Sequence, residues 1–201
     1  MERASAGIFA LALVLAGGAC SFAPAPGPLI ASYDFGPPPE ARQVAGLRQA
    51  LLVHDVGAPA WLDSPFIYYR LGYQDATRPQ AYAGSRWVTS PAELFTNRLR
   101  GRLVASGGGI IQPGDDARAK YALRVDLDEF VQVFDAPGKS RAVVRFRASV
   151  MGNRSLIVQR SFSVERPAST PDAEGGVRAL IGASDEAVEQ LVGWTAQHLK
   201  D

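Results

Sequence analysis

The chain has 201 residues, 47% hydrophobic and 20% charged, which suits a folded globular protein and excludes a disordered or repeatedly membrane-spanning one. Its 21 Lys and Arg balance 20 Asp and Glu, so no charge excess points to nucleic acid or a polyanionic substrate. The single cysteine rules out an internal disulfide and leaves stability to packing.

That cysteine closes the N-terminal signal. Arg3 precedes the apolar run Phe9-Ala-Leu-Ala-Leu-Val-Leu, which ends in Gly17-Gly18-Ala19-Cys20. A charged n-region, a short apolar h-region and small residues at its end are the layout of a secretory signal. The run falls short of the roughly 20 residues that span a bilayer. With the cysteine it resembles the bacterial lipobox, although Gly17 stands where that motif usually has Leu. Residues 1–19 are then a lipoprotein signal peptide, and Cys20 carries a diacylglyceryl group and an N-acyl chain such as palmitate. The alternative is an ordinary signal peptide with an incidental cysteine. Ser21, where Asp would mark inner-membrane retention, favours the outer membrane by the sorting rule of enteric lipoproteins.

About 180 residues remain, enough for one domain with a real core. Residues 20–32 are rich in Pro and Gly and read as a lipidated tether, leaving 33–201 as a single periplasmic domain. Tyr33-Asp34-Phe35 is a short entry strand stopped by Gly36-Pro37-Pro38-Pro39. Leu47 to Val56 is apolar on both parities and reads as a partly buried strand. Phe66 to Tyr73 and Tyr82 to Val88 have the aromatic and β-branched content of further strands.

Ser90-Pro91-Ala92-Glu93 marks a helix start, with a capping hydroxyl, Pro at the first turn and Glu reaching back to the cap. Phe95, Leu99 and Leu103 form its apolar stripe, widened by Ala92 and Val104, and Gly107-Gly108-Gly109 ends it. Three strands follow as an antiparallel meander. On the first, Tyr121, Leu123, Val125, Leu127, Val131 and Val133 share one parity. Glu129 falls on that same parity and predicts a bulge or a frayed edge. Ala142, Val144, Phe146, Ala148 and Val150 alternate with polar residues on the second; Leu156, Val158, Phe162 and Val164 make up the third. From Asp172 the apolar spacing suits a long helix, which Gly175, Gly176 and Gly182 either kink or delay. The sum is an α+β fold, a largely antiparallel sheet with two main helices on one face.

The residues for common catalytic chemistry are sparse. His54 and His198 suit surface or core roles, and no G-x-S-x-G elbow is present. Ala136-Pro-Gly-Lys-Ser140 resembles the tail of a phosphate loop, but Val133 replaces its first Gly and the segment lies between strands. Asp126 and Asp128 share the solvated parity with Arg145 and Arg147 across a hairpin, so ion pairing accounts for them without a metal. No enzyme activity, metal or cofactor is expected. Arg98, Arg100 and Arg102 give the first helix a basic side, read as a solvated face, with anionic lipid or an acidic partner helix as the alternative. Tyr68, Tyr69, Tyr73, Tyr82 and Trp87 are either ordinary packing or part of an interface. Within this block Tyr69, Arg70 and Arg86 are the candidate partner-binding residues and Trp87 the core one.

The stretches Ala60-Trp61-Leu62-Asp63-Ser-Pro-Phe-Ile-Tyr-Tyr69-Arg70 and Tyr82-Ala-Gly-Ser-Arg86-Trp87-Val-Thr-Ser-Pro91-Ala-Glu93-Leu94 are similar to those of the ABC-type transport auxiliary lipoproteins, the PqiC-like group. Tyr33-Asp34-Phe35-Gly36-Pro37 resembles that family's first strand and Val188 to Leu199 its closing helix. The resemblance implies a lipid-tethered periplasmic domain and carries no catalytic residues. Its implied partners are an MCE-domain protein, with its permease and ATPase, that moves lipids or other hydrophobic molecules. It is compatible with a homo-oligomer. The alternative reading is a carrier that holds an acyl chain between sheet and helices.

Overall fold

A computed structural model describes residues 29–40, 47 and 49–199. The signal, Cys20 and most of the tether lie outside the described residues. Eight strands and two helices follow in the order β1 (Ala31–Tyr33), β2 (Leu51–Val53), β3 (Phe66–Leu71), β4 (Gln80–Trp87), α1 (Pro91–Ala105), β5 (Ile110–Ile111), β6 (Tyr121–Ala136), β7 (Lys139–Gly152), β8 (Ser155–Pro167) and α2 (Ala173–His198). A single 3₁₀ turn, Ala60–Leu62, precedes β3.

The sheet is mixed and mostly antiparallel. The β6–β7–β8 meander is its body, and β6 is long enough to hold different partners along its other edge. Its first residues pair in parallel with β2, through Leu51↔Tyr121, and β2 pairs with β5. Its later residues pair in parallel with β3, through Tyr69↔Gln132, and β3 leads on to β4 and β1. Both helices cover one face. Between them and the sheet, rings run from Phe95 of α1 through Phe146 and Phe162 to Trp194 of α2, with centroids 4.8–5.5 Å apart. A second group, Phe35, Trp87 and Phe130, fills the other end at 5.7–6.0 Å.

The helix starts after Ser90 as expected, its side chain accepting the Glu93 amide, but the Glu93 side chain does not reach back to the cap amide. The Glu93 carboxylate takes the Thr89 hydroxyl. At the other end Gly108 N–H bonds Leu103 O and Gly107 N–H bonds Val104 O, with Gly107 at φ 85° where a side chain would be strained. α2 runs from Ala173 as one continuous helix, so it does not begin late. Gly175 and Gly176 are there for contact: a Cβ would collide with Thr170 at the first and with the buried Gln132 side chain at the second. Two shorter differences concern strand limits. β1 starts at Ala31, inside the expected tether, and of Leu47–Val56 only Leu51–Val53 is strand.

Bulges account for the remaining differences. The β6–β7 register shifts between Leu127 and Glu129, so Phe130, Gln132 and Phe134 take over the covered face. Val131 and Val133 therefore move to the open face. The β7–β8 register shifts between Val150 and Met151, which sets Leu156 opposite Met151 and leaves it 58% exposed instead of packed.

Candidate functional site

The open face of the sheet carries most of the sequence-derived site residues. Arg70 of β3 stands beside Val133 and reaches Glu129 of β6 at 2.7 Å. Glu129 also takes Arg145 of β7 at 2.6 Å, Arg145 reaches Glu165 of β8 at 3.3 Å, and Glu165 accepts from Arg141 at 2.9 Å. Arg141 completes the row on Asp135. This ladder crosses four strands, and beneath it Val131 and Val143 are buried although they lie on the helix-free side. Because of the bulge, Arg145 faces Glu129, and of the two expected aspartates only Asp126 meets Arg147, at 3.9 Å. Among the described residues no three His, Cys, Asp or Glu side chains gather as a metal site would require.

Beside the ladder is an aromatic corner. The Trp61 ring meets Tyr68 edge-on at 5.3 Å and Tyr68 meets Phe66 at 6.1 Å, while the Arg70 guanidinium lies 5.6 Å from the Trp61 centroid. Arg86 is paired in register with Phe66, donates to Ser32 at 3.3 Å and is exposed, as is Phe66 at 49%. Arg70 is thus committed to Glu129 and Trp61, whereas Arg86 is accessible. Tyr69 points to the other face. Its ring lies 4.6 Å from Tyr82 and 5.9 Å from Phe134, and its hydroxyl donates to Gln80. Tyr82 donates to Gln132, and burial with the neighbouring Tyr69 pushes its phenol well above the usual range. Trp87 is 1% exposed, a core residue. Phe66 is the exposed member that sequence reasoning passed over; its alternation with buried Ile67 was the signal.

The basic side of α1 divides in two. Residues four apart share a helix face and residues two apart do not, so Arg98 and Arg102 turn to α2 while Arg100 turns to Asp55 at 2.8 Å. The Arg98 side chain, 6% exposed, lies 3.2 Å from Asp185 and donates to the Phe35 and Gly36 carbonyls. Arg102 grips both oxygens of Glu189. The acidic partner helix is therefore this chain's own α2, and these arginines are not a solvated face. Burial raises the Asp185 carboxyl above the usual range against the pull of Arg98.

The family model for the ABC-type transport auxiliary lipoprotein component matches residues 33–192. The chain belongs to this family. It is an auxiliary lipoprotein component of an ABC-type transport system. In fold it is similar to protein XCC0632 from Xanthomonas campestris, a DUF330 protein, at TM-score 0.69 and 23% identity, over 85% of this chain and 93% of that one. It is also similar to an uncharacterized protein at TM-score 0.65 and 14% identity, over 83% and 99%. No curated protein matches the sequence. Among the described residues no helix of this transport lipoprotein is long and apolar enough to cross a membrane.

Proposed function

We propose that this transport lipoprotein is the docking subunit of an MCE-type ABC transporter for lipids or other hydrophobic molecules, anchored in the outer membrane through lipid on Cys20. The family match carries the reading: it begins at Tyr33, just beyond the Pro-rich tether that follows Cys20. In this reading 1–19 is the signal peptide, 20–32 the tether and 33–201 the working domain. The role is non-enzymatic, and the working surface is the aromatic corner of the open face. Exposed aromatic and Arg side chains are the composition of binding hot spots, and Arg86 with Phe66 supplies both. Tyr69 and Arg70 support that surface from behind and beside. The carrier alternative has less to rest on. The layer between sheet and helices is filled by the aromatic rings, and a cavity of about 260 Å³ opens outside it, beside Phe35, Pro38, Leu94 and Gly101.

Three observations test this reading. Cys20→Ala should abolish fatty-acid labelling and sedimentation with membranes; an unlabelled wild-type chain would refute the anchor. Ser21→Asp should move the protein toward the inner membrane in an enteric host, and no shift on a density gradient removes the basis for the outer-membrane assignment. Purified Arg86→Ala should keep its melting temperature yet pull down the MCE subunit about 30-fold less well, a loss of about 2 kcal/mol. Unchanged capture by both Arg86→Ala and Phe66→Ala would place the interface elsewhere.

A further inference from the structure

The end of the sheet at the β7–β8 turn holds features that packing does not require. Asn153 and Arg154 form the turn with φ of 50° and 63°, both in the left-handed region. Such a turn ordinarily places Gly second, because a side chain there is strained. Here the strained position carries an exposed arginine for which no partner is seen among the described residues. Leu156 and Ile157, 58% and 47% exposed, stand next to it. They flank the turn on opposite faces: Leu156 is in register with Met151, whereas Ile157 lies on the Tyr121 side, where a Cβ on Gly152 would collide with it at 2.7 Å.

A concavity of about 300 Å³ opens at this end, lined by Lys120, Tyr121, Met151, Gly152 and Arg154 among others. The Lys120 ammonium lies 5.0 Å over the Tyr121 ring. Arg118 and Arg124 add exposed cations nearby in sequence. Against them stand Asp115, whose carboxylate holds the Gln112 amide, Asp116, and Asp126, which Arg124 and Arg147 share. The lining itself carries Lys120 and Arg154 and no carboxylate.

We propose that this end is a second docking surface, which receives an acidic segment of the transport partner and seats one of its apolar side chains in the concavity. The proposal rests on the docking and Cys20-anchor reading above. A concavity with Tyr121 and Met151 in its wall suits a side chain better than a flat bilayer.

The test is a photo-crosslinking amino acid at Leu156, with a parallel set at Arg86, in the full lipidated chain expressed in its own cells. Adducts are identified by mass spectrometry. The expected adduct at Leu156 is the periplasmic subunit of the transporter, and Lys120→Glu with Arg154→Glu should cut its yield about tenfold. Arg154→Gly should raise the melting temperature by relieving the backbone and still lower the yield; unchanged yield would overturn the role of Arg154. An adduct with a second copy of this chain or with phospholipid at Leu156 overturns the proposal. Capture at Arg86 alone overturns it too, but leaves the docking reading standing. No transporter adduct at either position refutes both.

Discussion

The two faces of the sheet use the same residue types for opposite ends, and β4 shows this within one dipeptide. Trp87 turns inward against Phe35 and Phe130, while Arg86 turns outward beside Phe66. The ion pairs divide likewise. On the covered side Arg98 and Arg102 meet Asp185 and Glu189 in a seam between helices, where the arginines are almost without water. On the open side the Arg70–Glu129–Arg145–Glu165 ladder is wet along much of its length. The lesson is that burial, and not the pairing itself, sets what each charge contributes. Removing one partner from a buried pair strands the other in low dielectric. Exposed pairs are screened and nearly balanced by their ordering cost.

Trp87→Ala should have the largest effect, about 3–5 kcal/mol of lost stability in a denaturant melt. A loss below about 1 kcal/mol would mean that the β4–α1 corner is not the packed core described. Next is Arg98→Ala, which strands Asp185 and deprives two carbonyls of their donor; about 3 kcal/mol is expected. Breaking the open-side ladder at its wet end with Glu165→Ala should cost about 1 kcal/mol in water and much less in 1 M salt, where the screening length is about 3 Å. The Arg98→Ala deficit should persist in that salt. Equal salt sensitivity of the two variants would erase the distinction between the faces.

The smallest expected effect is on pH dependence. Asp185 titrates above its unfolded value, so the native state takes up this proton first as pH falls, and the group's contribution to stability rises. Asp172 is held below the usual range by the Gly175 amide and Thr170, so its contribution is lost as pH falls through its folded value. Wild type should therefore gain stability relative to Asp185→Asn on acidification from neutral pH to the ordinary carboxylate range, and lose it relative to Asp172→Asn lower down. Parallel melting curves for Asp185→Asn and wild type would show that the seam is more hydrated than its geometry implies.

Much of this architecture is local and so could be read along the chain. Ser90, Pro91 and the glycines after Ala105 set the ends of α1, because caps act within a turn or two. Alternation gave the meander, since side-chain period follows from strand geometry alone. Glu129 even marked its bulge. What the bulges did to the following residues was not legible: an extra residue exchanges the faces of all that come after it, and only pairing to β7 and β8 fixes where the count is broken. That is why Val131 and Val133 lie on the open face and Leu156 is exposed. The sequence could show that α1 is rich in arginine, and the resemblance in its short motifs could name the family. Which arginines are buried, which meet Asp185 and Glu189 across more than eighty residues, and which remain for a partner depended on where α2 lies against α1. Only tertiary packing decides that, because the strength and use of a charge are set by the water left around it.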